Sequence, residues 1–323
     1  MKIGIQAGVA FPDKDWDYAC RTAKELGLEA IEASAGGFGL KKHCNPGQLI
    51  KDKDKRSNFI KTAQKYGLEI SSLSCWGNPL HPDKKFADEH SQDIDEALEL
   101  AHAIDIKIIN LFAGCPGAGE GAKYPNWITC PWPSYFSDAI KWQWDKKIVP
   151  FWKEKTKTAK RLGIKFGFEM HPGDAIYNPE TLLLLREKLD SEEVSCNFDP
   201  SHLFWQGIDP IIAIRKLGNA IVHTHAKDSQ IDRALVEYRG VNDWKPYTEV
   251  HKRAWSFRTV GYGHDMQFWK NYVSSLRLIG FDGVLSIEHE DPLIEVEEGL
   301  KKSVEFLKGI LLYKKPGKLW FNT

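Results

Sequence analysis

Four short phrases in the second half of the chain place ionisable side chains directly after apolar runs. FEMHPGD supplies Glu169 and His171, and NFDPSH supplies Asp199 and His202. HTHAKD supplies His223, His225, Lys227 and Asp228, while SIEHED supplies Glu288, His289 and Glu290. Glu32 adds a carboxylate from the first half. Carboxylates brought to one place repel each other and lose hydration, and a divalent cation relieves both effects. Two Glu, one Asp and one His form a mixed oxygen and nitrogen set. It suits Mn²⁺ first, with Mg²⁺, Co²⁺ or Zn²⁺ as alternatives, and leaves positions open for substrate oxygens. The two-residue strand period puts His223 and His225 on one face. His225 lies nearer the end of its run and is preferred as ligand, with His223 deeper. Glu288 is expected to point inward, His289 outward toward a helix, and Glu290 to sit at the rim.

These phrases close strands in a regular alternation. Strands are expected at Lys2–Ala7, Glu29–Ser34, Glu69–Cys75, Lys107–Phe112, Lys165–Met170, Val194–Phe198, Ile221–His225 and Val284–Glu288. Helical periodicity covers Lys14–Leu26, Lys53–Tyr66, Phe86–Ala103, Lys141–Leu162, Pro179–Leu189, Pro210–Leu217, Met266–Ile279 and Ile294–Leu312. Gly27, Gly67, Gly163 and Gly280 each follow a helical stretch and precede a strand, the place for a left-handed helix stop. Eight β-then-α units predict an α/β chain folded as a (β/α)₈ barrel, a single domain over residues 1–323. An open doubly wound sheet is the alternative, but AGVAFP after the first strand is no glycine-rich phosphate loop.

Barrel active sites form where strands end, so the four phrases would share one mouth. Two long insertions would flank it. One, after strand four, runs from Gly114 to about Trp144 and carries Trp127, Trp132, Trp142 and Trp144. The other, after strand seven, runs from Ser229 to about Asp265 and ends in WSFRTVGYGH. The chain has 12 Trp against 3 Met, and flat rings beside Gly and Pro suit the apolar face of a sugar. Trp127 and Trp132 are therefore expected at the substrate, and Lys227, Arg258 and His264, each just beyond a strand or in the second insertion, are expected to contact it. A G-x-G-x-x-A at Gly117, Gly119 and Ala122 precedes no helix start and is set aside.

Composition narrows the partners. Lys+Arg and Asp+Glu are both 44, so the chain lacks the basic excess of a nucleic-acid or anionic-membrane binder. No apolar run approaches the roughly 18 residues of a membrane span. The first residues, MKIGIQAGVAF, hold no signal-peptide core, so the expected location is the cytoplasm. Six scattered cysteines without a C-x-x-C are expected as free thiols in a reducing compartment.

Taken together, Glu169 in FEMHPGD, Asp199 with His202 in NFDPSH, His225 in HTHAKD and Glu288 in GVLSIEHED resemble the xylose-isomerase-like TIM-barrel superfamily. Within it the chain looks like the sugar phosphate isomerase/epimerase group. The resemblance implies one divalent metal on Glu169, Asp199, His225 and Glu288, with His202 at the metal or a substrate hydroxyl. It also implies proton abstraction beside a carbonyl through a cis-enediolate, with Glu169 and Glu288 as the exchanging groups. Ketose 3-epimerases carry a further Glu several residues after the strand-five ligand. This chain has Ala175 and Ile176 there, which leaves His171 as a candidate base or as a brace for the metal ligands. The resemblance to the three-zinc endonucleases of abasic DNA fails at strands three and four, which end without histidine.

DPSHLFWQGIDP, HTHAKD, FRTVGYGHD and GVLSIEHED also resemble a subgroup that includes catalytic subunits of C-glycoside deglycosidases. That resemblance implies a lyase acting on 3-keto-glycosides, losing the C1 group after C2 deprotonation, with a small partner subunit. The leading expectation is a metal-dependent sugar isomerase or epimerase, the second is this lyase, and the third is a sugar-binding barrel without catalysis. Exposed Trp adds the expectation of a homo-oligomer.

Overall fold

The computed structural model describes residues 1–317; residues 318–323, the end of the expected domain, lie outside the described residues. Among the described residues there are ten strands: β1 (Lys2–Gln6), β2 (Ala30–Gly37), β3 (Glu69–Trp76), β4 (Ile108–Leu111), β5 (Lys165–Glu169), β6 (Val194–Phe198), β7 (Ile221–Ala226), β8 (Asp228–Ile231), β9 (Trp255–Arg258) and β10 (Val284–Ile287). Eight of them close a barrel in the order β1-β10-β7-β6-β5-β4-β3-β2, and β8 and β9 form a separate two-stranded sheet. Every pair in the barrel is parallel, with helices in the crossovers. The expected (β/α)₈ architecture is the observed one.

The strand period decides what the barrel offers at its axis. Phe166 and Phe168 of β5 pack edge-on against Trp152 of the helix Val149–Leu162, with ring centroids 5.7 and 4.7 Å away. Gly167 and Glu169 therefore face inward. A side chain at Gly167 would collide with Asn110 Oδ1, so the glycine makes room for a polar layer inside the barrel. The four helix-stopping glycines all have positive φ, between 69° and 83°. All six cysteines are unpaired, five of them buried. No helix among the described residues is long and apolar enough to cross a membrane.

Two expected elements differ in detail. The helix expected over Lys141–Leu162 is three segments: an α-helix Ser134–Trp142, a π-helical turn Gln143–Ile148, and an α-helix Val149–Leu162. Pro150 has no N–H to give to the turn before it, and the chain widens there. The insertion after strand seven is not irregular throughout. Its ends, β8 and β9, pair antiparallel with Ser229 opposite Phe257, so the intervening segment is the tip of a hairpin.

Candidate metal centre

Barrel closure brings Glu169, Asp199, His225 and Glu288 together, each buried, with ligand atoms all within 4.8 Å of one another. Glu169 is the last residue of β5, His225 lies on β7, and Asp199 and Glu288 directly follow β6 and β10. His225 Nδ1 lies 2.9 Å from Glu288 Oε2, 3.4 Å from Glu169 Oε2 and 4.0 Å from Asp199 Oδ2. Asp199 Oδ2 and Glu288 Oε2 are buried without a hydrogen bond. Orphaned carboxylate oxygens converging on one imidazole nitrogen are the donor set a divalent cation requires, so the residues fit such an ion.

The electrostatics carry the same signature. Burial pushes the Glu169 carboxyl well above its usual range, and the charges of Glu288 and Asp199 add to it against His225. Burial likewise raises Asp199. Burial opposes ionisation of Glu288 as well, but the charges of Lys227 and His225 outweigh it and hold that carboxyl at about 2. His225 is raised well above the ordinary imidazole range because Glu288, Glu32 and Glu169 overcome its burial. Three carboxylates in one buried site cannot all ionise comfortably without added positive charge.

The centre opens into a cavity of about 390 Å³. Its ionisable lining is Glu169, His171, His202, Lys227, Glu288 and Glu290, and its apolar walls include Phe38, Trp76 and Phe112. His202 Nε2 sits 3.2 Å from Glu169 Oε1 and 3.4 Å from Asp199 Oδ2, bracing both from one side. Burial keeps His202 well below the ordinary imidazole range, so it stands there neutral, as a donor. Lys227 is buried, 3.3 Å from Glu288 Oε2, paired with Glu290, and 4.1 Å from the centroid of the Phe257 ring. His171 packs on Phe112 with centroids 4.5 Å apart, and its Nδ1 lies 3.6 Å from buried Asp174.

Other expected contacts are placed elsewhere. Arg258 does not line the cavity: its Nε donates to Asp291 Oδ2 at 3.1 Å and its Nη1 to Gln230, so the guanidinium ties β9 to the segment after β10. His264 is also outside it, stacked on Phe204 at 3.7 Å with Nδ1 2.7 Å from Asp228 Oδ1. Trp132 is 77% exposed. Trp127 packs against Tyr177 and lines a neighbouring hollow of about 240 Å³ instead. His289 points outward against Gly299, and Glu290 stands at the rim.

Reading ionisable residues at strand ends passed over the aromatic wall and the polar layer beneath the centre. Trp76 ends β3 and Phe112 follows β4, where no ionisable cluster drew notice. Asn110 and Asn197 sit mid-barrel, fully buried, and hold Glu32, His223 and Glu169. An amide inside an otherwise apolar strand was the available signal, since a buried amide needs partners.

Residues 20–310 match the xylose isomerase-like TIM barrel family. YfiH of Bacillus subtilis (strain 168), described as uncharacterised, is 38% identical over 289 residues, 88% of this chain and 92% of its own. The inosose dehydratase of Mesomycoplasma hyopneumoniae (strain 7448) is 24% identical over 255 residues, 78% of this chain and 79% of its own. The apo structure of 3-keto-D-glucoside 4-epimerase, YcjR, from E. coli shares the fold. Its TM-score is 0.63 at 15% identity, covering 96% of this chain and 99% of that one.

Proposed function

Since the chain belongs to the xylose isomerase-like TIM barrel family, we propose that it is a divalent-metal-dependent sugar isomerase or epimerase that moves a proton beside a carbonyl. One observation carries the reading: Glu169, Asp199 and Glu288 meet around His225, Asp199 and Glu288 each with a buried oxygen that accepts no hydrogen bond, at the floor of a cavity walled by aromatic rings. Glu169, Asp199, His225 and Glu288 would hold the ion, Mn²⁺ in the first instance. When bound, it would polarise a carbonyl and its neighbouring hydroxyl and ease loss of the C–H proton between them. Glu169 and Glu288 are the carboxylates placed to take that proton and return it. His202 donates to Glu169, Lys227 is ion-paired with Glu288, and both face the cavity where substrate oxygens would sit. His171, at the cavity wall, is the further candidate for proton transfer. Trp76 and Phe112 cover the apolar face of the sugar and exclude water from the site.

A second reading is a lyase acting on a 3-keto-glycoside, releasing the C1 group after C2 deprotonation. It is supported by the inosose dehydratase relative and by Lys227, an ammonium at the cavity lining that could protonate a departing atom. Proton NMR in D₂O with added Mn²⁺, comparing free ketoses with 3-keto-glycosides, separates the two. Deuterium entering beside the carbonyl with the glycoside intact supports the isomerase or epimerase. Release of an aglycone supports the lyase. Turnover unaffected by EDTA would sink the metal reading in both.

A further inference from the structure

Beneath the centre, Glu32 of β2 is fully buried, 193 residues from the histidine it touches. Its Oε1 accepts hydrogen bonds from Ser74 Oγ and from Asn110 Nδ2 at 2.7 Å. Its Oε2 lies 3.3 Å from His225 Nε2. The other ring nitrogen, Nδ1, is the one facing Glu288, Glu169 and Asp199. An ion held by those three carboxylates meets Nδ1, which must then be bare. The single proton left on the ring belongs on Nε2.

We infer that Glu32 is a positioning residue for the metal centre, keeping the His225 proton on Nε2 and presenting Nδ1 to the ion. The inference rests on the metal reading above and extends it to a residue in the other half of the barrel. A competing neighbour is Asn197 Nδ2, 3.1 Å from the same Nε2, which as a donor would favour the opposite tautomer. That amide nitrogen also lies 3.2 Å from Glu169 Oε2, and a carboxylate is the stronger acceptor. A second ion among Glu32, His223 and His225 is the other way to use this cluster, whose ligand atoms are equally close. The hydrogen bonding argues against it. His223 Nδ1 is 2.9 Å from Asn197 Oδ1, and its Nε2 is 3.3 Å from Ser71 Oγ. Both Glu32 oxygens are engaged as well, unlike the orphaned oxygens above. The choice of Glu over Gln has a reason too. A carboxylate only accepts, whereas an amide can turn its NH₂ toward the ring and leave the proton on Nδ1.

Zinc is the probe, because it is diamagnetic. In the zinc-loaded chain, imidazole nitrogen NMR of His225, identified by the signal missing in H225Q, should show Nε2 protonated and Nδ1 on the metal. Zinc affinity of E32Q should fall by about 10–100-fold while its circular dichroism matches wild type. Zinc on Nε2, or an unchanged affinity in a folded E32Q, overturns the role of Glu32 and leaves the metal reading standing. If E32Q does not fold, the wild-type spectrum decides alone. A wild-type chain that binds no zinc overturns the metal reading and this inference together.

Discussion

The two halves of the barrel meet one axis with different chemistry. At the ends of β5, β6, β7 and β10 stand Glu169, Asp199, His225 and Glu288, four groups that carry or accept charge. β2, β3 and β4 bring Glu32, Ser72, Ser74 and Asn110 to the layer below, and Trp76 and Phe112 to the wall above. One half assembles groups whose mutual repulsion needs an ion, and the other engages both oxygens of Glu32 beneath that assembly. A strained, charge-rich cluster keeps its geometry only if its surroundings cannot relax. The polar layer and the aromatic wall supply that rigidity.

The comparison breaks most sharply at the carboxylates. Glu169→Gln or Glu288→Gln should lower turnover by about 10²–10⁴-fold or more with an unchanged melting temperature. An active double variant would end the mechanism. Next in size is the pH dependence of metal affinity. Glu169, Asp199 and His225 all hold protons to higher pH than usual in the metal-free chain, and an incoming ion must displace them. Affinity for Mn²⁺ should therefore rise with pH, by roughly tenfold per unit for each proton displaced, and weaken as pH falls. Glu288, held at about 2, is already ionised and adds nothing to this slope near neutrality. Calorimetry in buffers of different ionisation heat counts the protons, and a flat affinity from pH 5 to 8, about the range in which an ordinary histidine titrates, would contradict the assignment.

In the first half of the barrel the effect should be smaller and of another kind. Trp76→Ala or Phe112→Ala removes a wall and no charge, so KM should rise by a few-fold to about tenfold, worth about 0.5–1.5 kcal/mol, with kcat less affected. A collapse of kcat with KM unchanged would mean that these rings position the reacting groups. The smallest effect is expected at Trp132. With the residue 77% exposed, Trp132→Ala should move stability by less than about 0.5 kcal/mol and leave KM alone. A large rise in KM there would restore it as a substrate wall.

Within the two insertions the same dependence on the backbone appears ring by ring. The second buries the two aromatics of β9, where Trp255 stacks on Trp205 at 4.9 Å and Phe257 lies under Lys227 and against His202, and leaves Tyr238 and Trp244 exposed between β8 and β9. Strand alternation in β9 turns Trp255 and Phe257 to the same side, and the hairpin with β8 holds them there. The first insertion, rich in Gly and Pro, leaves Tyr124, Trp132 and Tyr135 exposed. Counting aromatic residues could not separate these outcomes, because each ring's position depends on the backbone beneath it.

Much of the fold was legible because its signals are local. A run of apolar residues, a glycine stop and a helical period each act within a few residues, and eight repeats of that unit close a barrel. The candidate ligands were legible for the same reason: each is an ionisable group at or next to a strand end, and all such ends share one mouth. The chain alone thus determined the architecture and the four phrases at the mouth. Tertiary structure decided what those phrases touch. His223 and His225 share a face, but only the strand stagger leaves the first among Asn110, Asn197 and Ser71 and brings the second to the carboxylates. Arg258 reads from the sequence as a substrate contact, and the fold sets its Nε 3.1 Å from Asp291 Oδ2. Glu32 reads as an isolated carboxylate until closure sets it behind a histidine 193 residues away. Hydrogen bonds and ion pairs reach only a few ångströms, so sequence can name the groups while folding alone chooses their partners.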